Sequence, residues 1–153
     1  MGSQGWEVME KTVNYIPSSH FKIADAKRGD VGNTSSQYAK AFFDPEASGL
    51  NFDAITVTPY MGEDSIKPFL EYENKWAIVL GLTSNPGAAD FELKMIVTKT
   101  DDLEEGMHTV KQSKEFLYEA VLRKVSKWGS SENTMFVAGA TRPDEFKNIR
   151  KIV

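Results

Sequence analysis

Two carboxylates and one ammonium lie close together in the first third of the chain. Asp25, Lys27 and Asp30 have the spacing Asp-x-Lys-x-x-Asp, directly after a short apolar run that begins at His20. We expect this run to be a strand, which puts the three charges at its carboxyl end, where ligands and catalytic groups collect in parallel α/β folds. Side chains two residues apart in a strand point to the same side, so Asp25 and Lys27 form a candidate catalytic charge pair.

The same residues also have a purely structural interpretation. Asp25 and Lys27 could form a surface ion pair worth under about 1 kcal/mol. Asp30, Asn33 and Thr34 could be turn residues, with Thr34 as the cap of the following helix. Short motifs recur by chance, so the spacing alone leaves both interpretations open.

The residues around the motif resemble the signature of the orotidine 5'-phosphate decarboxylase family. Residues 25–35 read DAKRGDVGNTS, which is similar almost residue for residue to the bacterial branch with Arg-Gly between the lysine and the second aspartate. Three further blocks follow in the family's order: residues 57–62 (VTPYMG), 82–88 (LTSNPGA) and 137–141 (VAGAT). The resemblance covers nearly the whole chain. It implies a carboxy-lyase that converts orotidine 5'-phosphate (OMP) to UMP in pyrimidine biosynthesis.

The resemblance also assigns catalytic roles by motif position. It implies that Lys27 faces the carbanion that develops at C6 of the pyrimidine and protonates it. Asp25 and Asp30 would hold Lys27 in place and charged, with Asp25 beside the departing carboxylate. The family's reaction uses no metal or organic cofactor, so fixed charges must stabilise the transition state.

Substrate contacts and assembly follow from the same match. The resemblance implies a homodimer with shared active sites, in which Asp30 and Thr34 serve the partner subunit. It implies that Ser84 hydrogen-bonds the pyrimidine ring, although Ser84 alone would be interpreted as a helix cap before Pro86. We expect Asp25, Lys27 and Ser84 to converge at the carboxyl ends of neighbouring strands.

Some parts of the family's site have no match in this sequence. The family's array is Lys-Asp-Lys-Asp, with its first lysine on the strand before Asp25, and neither upstream lysine, Lys11 or Lys22, fits that position. The family's phosphate-binding loops follow its last two strands, and we expect residues 1–153 to lack those strands. We therefore expect residues 1–153 to be an incomplete barrel that is inactive alone.

Apolar runs alternate with segments of helical spacing. The runs are nearly continuous rather than alternating, which favours a parallel sheet covered on both faces. Predicted strands are residues 20–25, 52–58, 76–82 and 134–140, and predicted helices are 6–15, 35–43, 63–73, 110–128 and 143–152. Residues 90–107 are ambiguous: 91–97 fit a strand or a helical turn, and 101–106 an acidic loop.

This alternation predicts an α/β fold of parallel strands and helices. A complete (β/α)8 TIM barrel takes roughly 250 residues, and four strands cannot close one. We expect a single domain, residues 1–153, that forms part of such a barrel, about strands three to six.

Composition excludes several classes of protein. The net charge is −4 with no clustered basic segment, which disfavours nucleic-acid binding. The chain has no cysteine, which excludes disulfides and thiolate metal sites. Its two histidines, His20 and His108, lack a ligand pattern, so no metal site is expected. No apolar run is long enough for a membrane span, and we expect a cytoplasmic protein.

Two alternatives stay open. A sugar-phosphate decarboxylase or aldolase of the same superfamily shares Asp-x-Lys-x-x-Asp but uses magnesium, so chelator sensitivity would separate it. Asn33, Thr34 and residues 84–87 favour the pyrimidine enzyme. The second alternative is a non-catalytic half-barrel that folds through self-association.

Overall fold

The structure is a computed structural model that describes residues 2–104 and 107–153, with side chains for residues 2–99 and 112–153. The strands are β1 (Ile23–Arg28), β2 (Ala54–Val57), β3 (Trp76–Leu82), β4 (Met95–Glu104), β5 (Met107–Phe116) and β6 (Thr134–Ala138). The helices are α1 (Ser3–Tyr15), α2 (Gly32–Phe43), α3 (Pro45–Ser48), α4 (Glu63–Leu70), α5 (Leu117–Val125) and α6 (Pro143–Ile152), and a 3-10 helix spans Pro86–Asp90.

The chain divides into two compact units. The first comprises residues 1–80 and 127–136, and the second comprises residues 81–126 and 137–153. The prediction of a single domain stays a prediction.

A four-stranded sheet, in the order β1-β2-β3-β6, organises the first unit. β1 pairs with β2 and β2 with β3, both in parallel. All four residues of β2 are buried, as expected for a central parallel strand covered on both faces. Its sequence, Ala-Ile-Thr-Val, contains one polar residue, Thr56, which is 6% exposed.

Aromatic side chains fill the core between this sheet and its helices. Phe43 of α2 packs edge-on against Phe69 of α4, with ring centroids 6.4 Å apart, and Phe42 packs on Phe52 at 5.9 Å. Both helices present such residues because their apolar positions recur at helical spacing. α2 begins directly after the charged motif, so this core fixes the segment that carries it.

The second unit is organised around α5. Tyr118, Leu122 and Val125 form its buried face. The Tyr118 hydroxyl donates a 2.6 Å hydrogen bond to Glu145 of α6. Gly81 allows close approach of α5, because a Cβ there would lie 2.8 Å from Leu122 Cδ2. The long hairpin β4–β5 is antiparallel and forms a separate two-stranded sheet.

Much of the predicted architecture is confirmed. Parallel strands alternate with helices, and the order of the strands in the main sheet follows the chain. The predicted strands at 52–58, 76–82 and 134–140 match β2, β3 and β6 within a few residues. Among the described residues, no helix is both long enough and apolar enough to cross a membrane.

Several predictions were wrong. The first strand was predicted at residues 20–25 but runs from Ile23 to Arg28, so Lys27 lies within β1 rather than just after it. Residues 110–116 form β5 instead of the start of a helix, because pairing with β4 outweighs the local helical pattern. Residues 101–104 belong to β4 rather than to an acidic loop, and residues 105–106 lie outside the described part.

The predicted helix cap at Thr34 was also wrong. α2 begins at Gly32, with Val31 at the cap position, so Thr34 lies inside the first turn. A side chain from elsewhere takes over the capping, since Asp64 Oδ2 accepts the Gly32 N–H at 3.3 Å. This carboxylate satisfies an amide that has no partner within the helix.

Candidate active site

Asp25 and Lys27 form an ion pair at the carboxyl-terminal half of β1. The Lys27 ammonium lies 2.5 Å from Asp25 Oδ1. The prediction that the two side chains share one side of the strand is therefore matched by the geometry. Both side chains are more than half exposed, at 55% for Lys27 and 68% for Asp25. In water such a pair contributes little to stability, so its significance depends on what else surrounds it.

The backbone that carries the pair leaves the regular strand path. β1 and β2 are in register at Ala24↔Ile55 and again at Arg28↔Val57, so residues 25–27 of β1 face the single residue Thr56. Lys27 has φ of +46°, in the left-handed region that residues other than glycine rarely adopt. A bulge of this kind re-aims side chains next to functional sites.

Hydrogen bonds set the charge of Asp25. The pKa of its carboxyl is lowered, mainly by the hydrogen bond from Lys27 and then by one from the Thr56 hydroxyl, against the small opposing effect of burial. Asp25 is therefore a carboxylate at neutral pH.

Gly29 allows the motif to cross the end of β2. A Cβ at Gly29 would lie 2.5 Å from Thr58 Cγ2 and 2.9 Å from the Thr58 carbonyl oxygen. The neighbouring Thr58 N–H donates to the Arg28 carbonyl at 2.8 Å. A side chain at position 29 would therefore force the two strand ends apart, which explains why glycine stands between Arg28 and Asp30.

The arginine of the motif has a structural position. Arg28 lies over the rings of Tyr38 and Phe42 of α2, with its guanidinium carbon 5.4 Å and 5.7 Å from the two ring centroids. It also donates to the Ala26 carbonyl at 3.0 Å. These contacts direct the guanidinium onto α2, and cation–π packing of this kind stabilises the segment between strand and helix.

Asp30 is held by the first turns of α2. Its N–H donates to the Ser35 hydroxyl at 3.1 Å, and that hydroxyl donates to the Asp30 carbonyl at 2.9 Å. Ser35 is fully buried. The Asp30 carboxylate accepts from the Val31 N–H at 2.8 Å, and within the described part of the chain it forms no ion pair. Thr34 is half-buried within the first turn of the helix.

Ser84 belongs to the second unit, in the loop after β3. The loop is fixed through Thr83, whose N–H donates to Glu92 at 2.7 Å and whose carbonyl accepts from Arg142 Nε at 3.3 Å. Ser84 is exposed, and Asn85 rather than Ser84 caps the 3-10 helix. Gly139 also lies close to this loop, because a Cβ there would lie 2.9 Å from the Ser84 backbone nitrogen.

The structure thus brings Asp25 and Lys27 together and fixes the backbones of Asp30 and Ser84 separately. Convergence of Ser84 with the ion pair stays a prediction. Sequence reasoning missed Thr56, which hydrogen-bonds Asp25 and Lys27. It also missed Glu92, which hydrogen-bonds Thr83 next to Ser84. A lone hydroxyl in the apolar run of β2 could have indicated Thr56, since adjacent parallel strands place it beside β1. Among the described side chains, no three acidic or histidine groups cluster to hold a metal ion.

Comparison with known proteins extends this geometry. Residues 3–153 match the profile of the "Orotidine 5'-phosphate decarboxylase / HUMPS family". Over 156 residues the chain is 50% identical to an orotidine 5'-phosphate decarboxylase of Phocaeicola vulgatus, covering 100% of this chain and 50% of the relative. A Flavobacterium johnsoniae relative of the same name is 48% identical and covers 99% of this chain and 50% of its own length.

Two solved structures superpose on this chain. Leishmania donovani OMP decarboxylase superposes with a TM-score of 0.76 at 32% identity, over 98% of this chain and 52% of that one. Leishmania donovani UMP synthase superposes with a TM-score of 0.80 at 32% identity, over 99% of this chain and 30% of that one. The chain spans about half the length of the curated relatives it matches. The family match, the paired charges of β1 and the likeness to these barrels agree, and the chain belongs to the orotidine 5'-phosphate decarboxylase family.

Proposed function

We propose that this chain supplies the Asp25–Lys27 charge pair of an enzyme that decarboxylates OMP to UMP. The observation that carries the proposal is the 2.5 Å pair on the bulged end of β1. It lies within a sequence that matches the decarboxylase family over residues 3–153. The left-handed backbone conformation of Lys27 supports the proposal, because strained residues cluster at active sites.

The chemistry that the pair can perform is electrostatic and acidic. As the bond between C6 and the carboxylate breaks, its electron pair stays on C6 and carbon dioxide leaves. The Lys27 ammonium stabilises that charge and donates a proton to C6, which gives UMP. Asp25 keeps Lys27 charged and lies beside the departing carboxylate in this arrangement.

The surroundings decide how strong these effects are. Two unit charges about 4 Å apart interact by ~1 kcal/mol in water but by ~4 kcal/mol at an effective dielectric near 20. The half-exposed pair therefore becomes effective only when substrate and the rest of a complete site exclude water. For this reason we expect residues 1–153 alone to release no measurable carbon dioxide from OMP.

Asp30, Thr34 and Ser84 complete the proposal. Asp30 and Thr34 serve the active site of a partner subunit in a homodimer, and Ser84 hydrogen-bonds the pyrimidine ring. The absence of an ion pair on Asp30 among the described residues supports the first role. The exposed position of Ser84 beside a fixed backbone supports the second. A cytoplasmic site of action is part of the proposal, and the lack of cysteine is compatible with it.

A segment replacement tests the function. The 156-residue stretch of the Phocaeicola vulgatus decarboxylase that matches this chain is replaced by residues 1–153. We expect the chimera to convert OMP to UMP, and to do so equally with and without EDTA. Loss of activity in EDTA with recovery on adding magnesium would instead support the sugar-phosphate class. A folded chimera with no activity would support the non-catalytic half-barrel.

A further inference from the structure

Thr56 occupies a singular position in the main sheet. In the paired register of β1 and β2 it faces three residues, Asp25, Ala26 and Lys27, whereas its neighbours Ile55 and Val57 each face one. It is 6% exposed and lies on the central strand, with Ile78 of β3 opposite on its other side. A residue so enclosed has little freedom to move, so it can serve as a fixed reference point for the bulge.

The Thr56 hydroxyl makes two hydrogen bonds across the bulge. It accepts the Lys27 N–H at 2.9 Å and donates to Asp25 Oδ1 at 3.0 Å. A second acceptor, the Ala24 carbonyl, lies at 3.5 Å and competes poorly at that length. Asp25 Oδ1 also accepts from the Lys27 ammonium at 2.5 Å. The hydrogen bonds therefore form a closed ring that starts at the Lys27 backbone and returns to its side chain.

This ring of hydrogen bonds can hold Lys27 in one geometry, which the ion pair alone cannot do. A lysine has a long flexible stem, and an exposed ion pair is too weak to hold it in one geometry. The left-handed backbone at Lys27 is strained and persists only where the surroundings enforce it. Thr56 supplies both restraints from a buried position, one on the backbone and one on the carboxylate.

We propose that Thr56 is a positioning residue that orients the Lys27 ammonium through the Asp25 carboxylate and the Lys27 backbone. The inference rests on the proposed function for its catalytic meaning, although its structural part can be tested without activity. Valine has the shape of threonine without the hydroxyl, and serine keeps the hydroxyl without the methyl. These two substitutions therefore separate hydrogen bonding from packing.

The structural test is an NMR titration of the 153-residue chain. We expect the pKa of the Asp25 carboxyl to rise toward its ordinary value in Thr56→Val and to stay low in Thr56→Ser. Exchange of the Lys27 amide proton should accelerate in Thr56→Val alone. Ser65→Ala is the matched control, because it removes another fully buried hydroxyl of the first unit, one that donates to the Gly62 carbonyl at 2.7 Å. It should leave both readouts unchanged.

An unchanged Asp25 titration in Thr56→Val would overturn the inference. A measurement on the unsubstituted chain covers the case in which Thr56→Val does not fold. There the γ-methyl carbon of Thr56 should shift with the same midpoint as the Asp25 carboxyl, and a flat profile would equally overturn it.

The kinetic test uses the chimera. Thr56→Val should lower kcat about tenfold with KM within about twofold, since Thr56 acts on the lysine and not on the bound substrate. Thr56→Ser should restore most of kcat. An active chimera in which Thr56→Val leaves kcat unchanged would refute the positioning role and leave the proposed function intact. An inactive chimera, with the Asp25 titration still dependent on the Thr56 hydroxyl, would contradict the proposed function and support the coupling itself.

Discussion

Gly29→Ala tests how closely the charged motif crosses the end of β2. The added Cβ would lie 2.5 Å from Thr58 Cγ2, which can rotate away, and 2.9 Å from the Thr58 carbonyl oxygen, which cannot move without the strand. Overpacking of this kind costs about 1–3 kcal/mol. Alanine also restricts the unfolded chain, which returns about 0.4–1 kcal/mol. We expect a net loss of about 1–2 kcal/mol in the free energy of unfolding.

Urea unfolding followed by tryptophan fluorescence measures this loss. Gly2→Ala is the matched control, because a Cβ there meets nothing within 4 Å, and we expect it to change the free energy by less than about 0.5 kcal/mol. A double variant with Thr58→Ala relieves the contact with Cγ2 but keeps the contact with the carbonyl. Relative to Thr58→Ala alone, the double variant should still be less stable. This loss should be smaller than the loss that Gly29→Ala causes in the unsubstituted chain. Equal stability of Gly29→Ala and the unsubstituted chain would refute the close approach.

Two further predictions concern the second unit. Tyr118→Phe should lower the free energy of unfolding by about 1–2 kcal/mol in thermal or urea unfolding, because Glu145 loses its 2.6 Å hydrogen bond. Burial, followed by the contact with Glu145, raises the pKa of Tyr118, so this stabilisation is complete below the ordinary tyrosine value near 10 and is lost as the pH rises through the folded value. Tyr118→Phe should accordingly flatten the alkaline loss of stability, and an unaltered pH profile would contradict this. Gly139→Ala should displace the Ser84 backbone, whose nitrogen would lie 2.9 Å from the new Cβ, and raise KM for OMP in the chimera, whereas an unchanged KM would speak against a role for Ser84 in binding.

The sequence predicts a strand well where the strand's own residues show how it is buried. β2 and β3 were predicted from their continuous apolar runs, because a strand buried on both faces needs apolar residues at every position. β1 is predicted at residues 20–25 instead of Ile23–Arg28, because the polar Asp25 and Lys27 indicate that the strand ends there. Their exposure on a strand depends on a bulge that only the partner strand specifies.

The β4–β5 hairpin was missed for a related reason. Its stability comes from pairing between residues far apart in the chain, such as the 2.7 Å contact between the Thr98 and Ser113 hydroxyls. The helical pattern of residues 117–125 was extended backward across residues 110–116, where no local signal marked the boundary. Cross-strand pairs of this type stabilise a hairpin without leaving a period in either strand alone.

The candidate site divides in the same way. Asp25, Lys27, Asp30 and Ser84 were found because motif spacing and resemblance identify residue types. Thr56 was not, because its importance lies in which residues it faces across the sheet. Its two hydrogen bonds exist only because the register of β1 and β2 shifts at that point.

The most direct test of the account is the rate of OMP decarboxylation by the chimera with Lys27→Ala. If Lys27 stabilises and protonates the carbanion, this variant should lose at least about 1000-fold in kcat, since removing one preorganised group already costs 100- to 1000-fold in other enzymes. Lys11→Ala, which removes an exposed lysine of α1, should keep the full rate. A Lys27→Ala chimera that releases carbon dioxide as fast as the Lys11→Ala control would contradict the assignment of the Asp25–Lys27 pair as the catalytic charge array.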